Sequence, residues 1–522
     1  MTSMTKTSLT LLIAGAGWLG MITACGGDSS GGGNTGGAST GGTGGNLIGG
    51  AGGTGGGLGG SGGSMGGSGG AGGGSGGTGG AKPDGNDTKE TATQAKIGTD
   101  PQKDSIQGAL DPIDKDQDWY KFDGKKGQAI SILTDAKPAA SAGDPFDPTY
   151  VDLVITVYDS TGKQIAEQDD PDPRSSNDPF MLTVLPADGT YFVRVVECTA
   201  WEKGGPSKCA PMAKITKKNY VLYISGLTFS EAGEVQESEP NDTDAQASPI
   251  TYKATTTAGS YYLSTMLGTF SSATDVDVWS FKVPADVTVD AGARLNGSLY
   301  TQKGGTTGNG STTSPSEVWI AAKSAPTVIL AHVDFSKVDA DGNGQTIDVP
   351  LTAGTDYLAF YKRVTAPTGG NDFYFDLSGF GGGNPVEKQE AANDVLATAE
   401  VLTIASATQN SYFVEGDLSS TTDVDHFSVV VPVQGADTVS VACGAQRSGS
   451  GLRNFTINLL KGDGSAITGG TVVEAADKNA VLQDLTTPSG ESKLIVKLNA
   501  TSQDANIKGT YYRCGIHFRP KA

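Results

Sequence analysis

Carboxylate and amide side chains recur along this 522-residue chain in a pattern that appears three times. Asn-Asp pairs stand at Asn86-Asp87, Asn241-Asp242 and Asn393-Asp394. Each is followed by an Asp-x-Asp that runs into an aromatic segment: Asp116-Gln117-Asp118, Asp275-Val276-Asp277 and Asp423-Val424-Asp425. The gaps from the pair to the first of these aspartates are 29, 33 and 29 residues, and the pairs lie 155 and 152 residues apart. Spacing this regular indicates duplication, with each unit the length of one domain. No catalytic motif accompanies the acidic groups. The three histidines, His332, His426 and His517, are far apart, and there is no His-Glu-x-x-His, Gly-x-Ser-x-Gly or phosphate loop. His426 adjoins Asp425, but neighbours on a strand face opposite sides. Carboxylate-only chemistry has no motif that would exclude it, yet three units account for every segment expected to fold. The expectation is a non-enzyme.

The segments that must position these groups read as strands. Leu153-Val154-Ile155-Thr156-Val157-Tyr158 is β-branched and aromatic, and it stops at Asp159-Ser160-Thr161-Gly162. Phe455 to Leu460, stopping at Lys461-Gly462-Asp463-Gly464, repeats it in the third unit. A hairpin with its turn at Pro186-Ala187-Asp188-Gly189 has counterparts around Gly354 and Gly490. Each unit closes on an aromatic-rich strand, Tyr220 to Leu227, Phe373 to Leu377 and Tyr511 to Phe518. No long helical period is present. The fold class expected is all-β: three tandem β-sandwich or jelly-roll domains strung in a line, at residues 81–229, 230–382 and 383–522.

An apolar run from Leu9 to Ile22 after Lys6 reads as a signal peptide over residues 1–24, being short for a membrane span. It ends in Ile22-Thr23-Ala24-Cys25-Gly26, which resembles the bacterial lipobox and implies lipidation of Cys25. An ordinary secretory leader with a chance cysteine is the alternative. Residues 26–80 hold 33 glycines in 55 positions, too little apolar surface to offset ordering entropy. With Cys25 they form a disordered tether, residues 25–80, whose root-mean-square reach is about 40 Å. Gly26 after the cysteine is similar to lipoproteins sorted to an outer membrane, so the expected location is the cell envelope, periplasmic or surface-exposed.

An Asn-Asp-Thr near the start, a Gly before an Asp-rich turn, an Asp-x-Asp-aromatic and a late Leu-Pro-Ala-x-Gly-Thr-Tyr hairpin together resemble the bacterial pre-peptidase C-terminal domain. This small β-sandwich is appended to secreted proteases and related to collagen-binding domains of clostridial collagenases. The resemblance covers residues 84–227 well, 236–380 fairly and 387–518 loosely. It implies calcium held by the N-terminal acidic segment and the Asp-rich turn, and a role in holding substrate or stabilising an enzyme rather than cutting. Glu237-Ser238-Glu239-Pro240-Asn241-Asp242 fits best. Calcium takes six to eight hard oxygen donors, and groups spaced by two on an extended segment face one side, so Glu237, Glu239 and Asn241 can share an ion with Asp275 and Asp277. The first unit offers Asp84, Asn86, Asp87, Asp116 and Asp118, with Lys82 at the first ligand position. The third offers Asn393, Asp394, Asp423 and Asp425, with Glu390 one residue out of register. The bland alternative is that Asx residues cap turns and keep sheet edges soluble. Asp339 to Gln345 resembles half an EF-hand loop, but position twelve is Pro350, so a turn is expected there.

Removing Cys25 leaves Cys198, Cys209, Cys443 and Cys514, an even number suited to an oxidising compartment. Pairing Cys198 with Cys209 and Cys443 with Cys514 keeps each bridge inside one unit, although three connectivities are open. The net charge of −20 and pI near 4.5 argue against nucleic acid and anionic membrane as electrostatic partners. Trp201, expected exposed, is a candidate ligand platform. Trp319 is another candidate, though a core position is the stronger reading for it. Together these features predict a non-enzymatic lipoprotein, anchored to the outer membrane, that displays calcium-binding modules to an extracellular protein or polysaccharide. The alternatives are a structural spacer and an accessory to a separate secreted protease.

Overall fold

The computed structural model describes residues 85–98, 105–136, 148–169, 177–201, 209, 212–229, 232–254, 261–301, 311–338, 344–363, 372–389, 392–404 and 410–519. The signal peptide, Cys25, the tether, Lys82, Asp84, Glu390 and the Asp339–Asp341 turn lie outside them. Among the described residues the chain is all-β, with five short 3-10 turns and no α-helix.

Three pairs of sheets follow one another, and all three share one strand order. In the first sandwich, one sheet runs across its width as Thr93–Gln94, Asp118–Gly124, Gly189–Glu197, Leu153–Tyr158 and Gln164–Gln168. The facing sheet runs Ile106–Ala109, Asn219–Gly226, Ala129–Asp135 and Phe180–Val184. The second repeats the first order as Ser248–Pro249, Val276–Lys282, Asp356–Lys362, Glu317–Ala322 and Ile329–Asp334. Its facing sheet centres on Tyr261–Phe270, Asp372–Pro385, Ala293–Thr301 and Ile347–Pro350. In the third the orders are Glu400–Val401, Val424–Val430, Lys493–Asn499, Thr456–Lys461, Ala466–Val473 and Ser411–Asp417, Tyr511–Arg519, Thr438–Gly444, Ala480–Thr486. In each, a two-residue strand pairs in parallel with the strand that follows the Asp-x-Asp.

Alternation along these strands builds the cores. On Asp118–Gly124, Tyr120 and Phe122 point inward and Lys121 and Asp123 outward, as a period of two requires. The same parity buries Trp279 and Phe281 in the second core and Phe427 and Val429 in the third. Both disulfides form within single sandwiches, Cys198–Cys209 and Cys443–Cys514. The second joins two directly opposed residues of neighbouring strands.

The units do more than follow one another along the chain. Leu133, Phe180 and Leu182 of the first sandwich pack with Leu267, Phe373 and Phe375 of the second into one apolar cluster. Between the second and third, Tyr511 of the third packs into the second core, and polar contacts surround it. Arg513 ion-pairs with Glu415 at 3.0 Å and with Asp348 across the boundary, and Asn296 donates to Glu415 at 2.7 Å. The His332 N–H bonds to the Gly449 carbonyl at 2.9 Å. Sequence reasoning missed these interfaces because their partners lie far apart along the chain, in different units.

Two tryptophan expectations are corrected. Trp201 is half-buried beside the Cys198–Cys209 bridge, with its indole N–H donating to Glu167 at 3.2 Å. Trp319 is not a core residue: it lies half-exposed on the outer face of its sheet, stacked on Phe360 at 5.0 Å. The inward positions of that strand belong to Val318 and Ile320.

Candidate functional site

The repeated acidic residues gather at the same end of each sandwich, held by three contacts that recur in all of them. First, the Asn carbonyl of each Asn-Asp pair accepts the N–H of the residue after the Asp-x-Asp. These bonds are Trp119 to Asn86 at 2.9 Å, Val278 to Asn241 at 3.0 Å and His426 to Asn393 at 2.9 Å. Second, the first aspartate closes its own turn: Asp116 accepts from the Asp111 N–H, Asp275 from Ser271 and Asp423 from Ser419. Third, in the facing sheet, a glycine on the strand next to the closing strand lies directly opposite a tyrosine of it, as Gly108–Tyr220, Gly268–Tyr374 and Gly416–Tyr512. The tyrosine ring crosses the space a side chain would fill. A Cβ on Gly108, Gly268 or Gly416 would stand 2.4, 2.3 or 2.2 Å from its atoms. Through that gap Tyr220 donates to Asp118, and Tyr512 donates to Asp425 at 2.6 Å.

Asp116, Asp275 and Asp423 cap turns, as the alternative reading expects, but burial sets the group apart from caps at the surface. Asn86, Asn241 and Asn393 are buried, and so are Asp116, Asp118, Asp275, Asp277, Asp423 and Asp425. Surface solubility cannot be their role. A buried carboxylate without compensation is costly, so its partners decide what the site can do.

In the second sandwich the partners are more carboxylates. One oxygen each from Glu237, Glu239 and Asp277 lie within 4.8 Å of one another. Asn241 links the first two, donating its amide to Glu237 at 3.3 Å and its backbone N–H to Glu239 at 3.0 Å. The alternation expected for Glu237, Glu239 and Asn241 thus brings them together. The Asp242 carboxyl meets that of Asp275, the contact that chiefly raises its pKa. Burial raises Glu237 and Asp277, and each is raised further by nearby carboxylates, Glu239 and Glu237 respectively. Burial also raises Glu239, with the charges of Asp275 and Asp242 adding to it.

Donors are scarce where the charge is greatest. Glu237 accepts from the Thr269 backbone and hydroxyl. Asp277 is fully buried beside the Tyr374 hydroxyl, which itself accepts from the Trp279 indole at 3.0 Å. Neither Asp277 oxygen nor the Asn241 amide oxygen makes a hydrogen bond of normal geometry among the described residues. No lysine or arginine among them ion-pairs with Glu237, Glu239, Asp242, Asp275 or Asp277. A set of all-oxygen donors, partly orphaned and converging without a counter-charge, fits a hard divalent cation such as calcium.

The third sandwich assembles a similar set from one residue the sequence did not reveal. Asp394, Asp423 and Asp425 bring oxygens within 4.8 Å of one another. The place of Glu237 is taken by Glu387, which accepts from the Asn393 amide at 3.3 Å, the Asp417 N–H at 2.9 Å and Tyr512 at 3.2 Å. Glu387 stands six residues before its Asn and Glu237 four, so a two-residue longer loop hides it from an alignment by spacing. Its signal is the backbone: Glu387 N–H bonds to Glu415 just as Glu237 N–H bonds to Leu267. The Tyr512 hydroxyl lies within hydrogen-bond reach of both Glu387 and Asp425.

The first sandwich keeps the scaffold without the cluster. Asp118 faces Tyr220, which also bonds the Tyr120 hydroxyl at 2.8 Å. No group of three ligands forms around Asn86, Asp87, Asp116 and Asp118 among the described residues.

Comparison with known proteins agrees with this arrangement in part. The family model for the bacterial pre-peptidase C-terminal domain matches residues 116–197, inside the first sandwich. A probable subtilase-type serine protease of Deinococcus radiodurans is 32% identical over 84 residues, 16% of this chain and 10% of the protease. The chain therefore spans about a tenth of that relative's length. Among solved structures, the pre-peptidase C-terminal domain of a collagenase from Bacillus anthracis aligns at 12% identity and a TM-score of 0.17, covering 26% of this chain and 94% of that one. A surface-associated copper-binding protein of Methylomicrobium album BG8 aligns at 12% identity and a TM-score of 0.16, covering 26% and 98%.

Proposed function

We propose that this chain is a non-enzymatic cell-envelope lipoprotein whose β-sandwiches bind calcium and present a binding surface to an extracellular protein or polysaccharide. The observation that carries the calcium reading is Asp277: buried, without a hydrogen bond of normal geometry among the described residues, and close to other carboxylates. Glu237, Glu239, Asn241, Asp242, Asp275 and Asp277 would hold one ion, and Glu387, Asn393, Asp394, Asp423 and Asp425 a second. The ion would supply the positive charge these oxygens lack and would join the N-terminal segment of each sandwich to its first core strand. Domains of the pre-peptidase C-terminal kind are non-catalytic accessory modules, which suits binding rather than turnover. The lipid anchor at Cys25 and the tether rest on the sequence pattern alone.

Titrating the metal-free chain with calcium and then magnesium tests the reading. Saturable heat with calcium and little with magnesium is expected, since magnesium demands octahedral geometry and retains its waters. Equal responses, or none, would contradict it. The likeness to a protease favours a second reading, an accessory that assists a separate enzyme. A casein digest with and without the chain separates the two.

A further inference from the structure

We propose that the outer face of the first sandwich is a binding face for an anionic polysaccharide, one whose sugar rings carry carboxylates. The proposal rests on the reading of the array as a binding protein and names one of its ligands. The face is the outward side of the strands Asp118–Gly124, Gly189–Glu197 and Leu153–Tyr158, which lie side by side. Trp119 pairs across with Arg194, and Lys121 with Phe192, which in turn pairs with Tyr158. Trp119 reaches diagonally over the central strand to stack on Tyr158 at 5.5 Å and 29°. Arg194 lies 5.8 Å from the Tyr158 ring, and Lys89 stands 4.5 Å over Phe192. All six side chains are half-buried, so rings and cations remain open to solvent in part.

Charge decides the kind of partner. In a chain of net charge −20, this face carries Lys89, Lys121 and Arg194, and none of them ion-pairs among the described residues. The nearby carboxylates are occupied: Glu167 by Thr156 and Trp201, Asp123 by Thr190, Asp159 by its own turn. Flat aromatic surface suits the apolar face of a sugar ring, and cations beside it suit a carboxylate. The corresponding row keeps stacked rings without a lysine or arginine in the second copy, and a lysine without phenylalanine, tyrosine or tryptophan in the third. It reads Val278, Phe360, Trp319 and His332 in the second sandwich, and His426, Lys497, Asn458 and Thr471 in the third. The acidic ends repeat while this face diverges, as expected where the scaffold is shared and recognition is not.

The test is calorimetric titration of the whole chain, in calcium, with a galacturonate hexasaccharide, cellohexaose and hexaglutamate. Saturable binding to the galacturonate alone is expected, weakened at least tenfold by Trp119→Ala and by Arg194→Glu with the melting temperature unchanged. Lys121→Glu, at a half-exposed site, gives a second reading should the tryptophan variant fold poorly. Absence of galacturonate binding, or binding that survives all three substitutions, would overturn the proposal. Equal binding of hexaglutamate would also overturn it, since charge alone would then suffice. Capture of cellohexaose through other residues would strike this face while leaving the general binding reading intact.

Discussion

Replacing Asp277 with asparagine should stabilise the metal-free protein and at the same time remove the second sandwich's response to calcium. Glu237, Glu239 and Asp277 present oxygens within 4.8 Å of one another. At an effective dielectric of about 20, two unit charges at that separation repel by about 3.5 kcal/mol. Asp277 takes part in two of the three pairs, so full ionisation would cost about twice that. The carboxyls escape part of this by holding protons, as their raised pKa values indicate. A net gain of about 2 to 4 kcal/mol is therefore expected for Asp277→Asn in chelator at neutral pH. The amide keeps the shape and can donate to Glu237, so no cavity opens. In saturating calcium most of that difference should close, because the wild type gains about 2.7 kcal/mol per site at a hundred times the dissociation constant and the variant's second site gains little. Differential scanning calorimetry of the whole chain, in chelator and in millimolar calcium, reads both effects on the second sandwich. The reasoning is refuted if the variant melts lower in chelator, as an ordinary buried substitution would, while the calcium shift persists.

Three further outcomes follow from the geometry. Gly268→Ala should destabilise the second sandwich by about 1 to 3 kcal/mol, because its Cβ would fall 2.3 Å from Tyr374; urea midpoints of the variant and the wild type measure it. Arg513→Ala leaves Asp348 and Glu415 buried without their counter-charge and should cost about 3 to 5 kcal/mol, with faster proteolysis at the boundary of the second and third sandwiches. His517 is held down to about 4 by burial and, less, by Arg519. Its contribution is then present above its unfolded pKa of about 6.5 and is lost as pH falls through the folded value. His517→Gln should flatten the acid limb of stability between those values by about 1 to 2 kcal/mol, after allowance for its partial exposure.

The sequence made some parts of this molecule readable and hid others, for physical reasons. Strand identity was legible because inward and outward residues alternate, as along Asp118–Gly124. The acidic groups were legible because their spacing repeats, and burial of Asn241 and Asp277 shows that the pattern reaches into the fold. Cys443 and Cys514 were legible as a pair within one unit, and they lie opposite each other on adjacent strands. Glu387 was missed because a longer loop shifts it by two positions, and its equivalence to Glu237 shows only in the fold, through the backbone bond to Glu415 and the Asn393 amide. The Gly–Tyr contacts were missed because they join residues about a hundred positions apart. Trp319 was misplaced because hydrophobicity alone does not say which side of a strand a ring occupies. The interface ions Arg513, Asp348 and Glu415 had no local signature at all.

In the proposed function the clustered carboxylates of the second and third sandwiches hold calcium. Counting bound ions on the metal-free chain by equilibrium dialysis tests it most directly. Two calcium ions per chain are predicted, falling to one in Asp277→Asn and to one in Asp425→Asn, with magnesium unable to displace them at equal concentration. A chain that retains no calcium, or one whose count is untouched by both substitutions, would contradict the account.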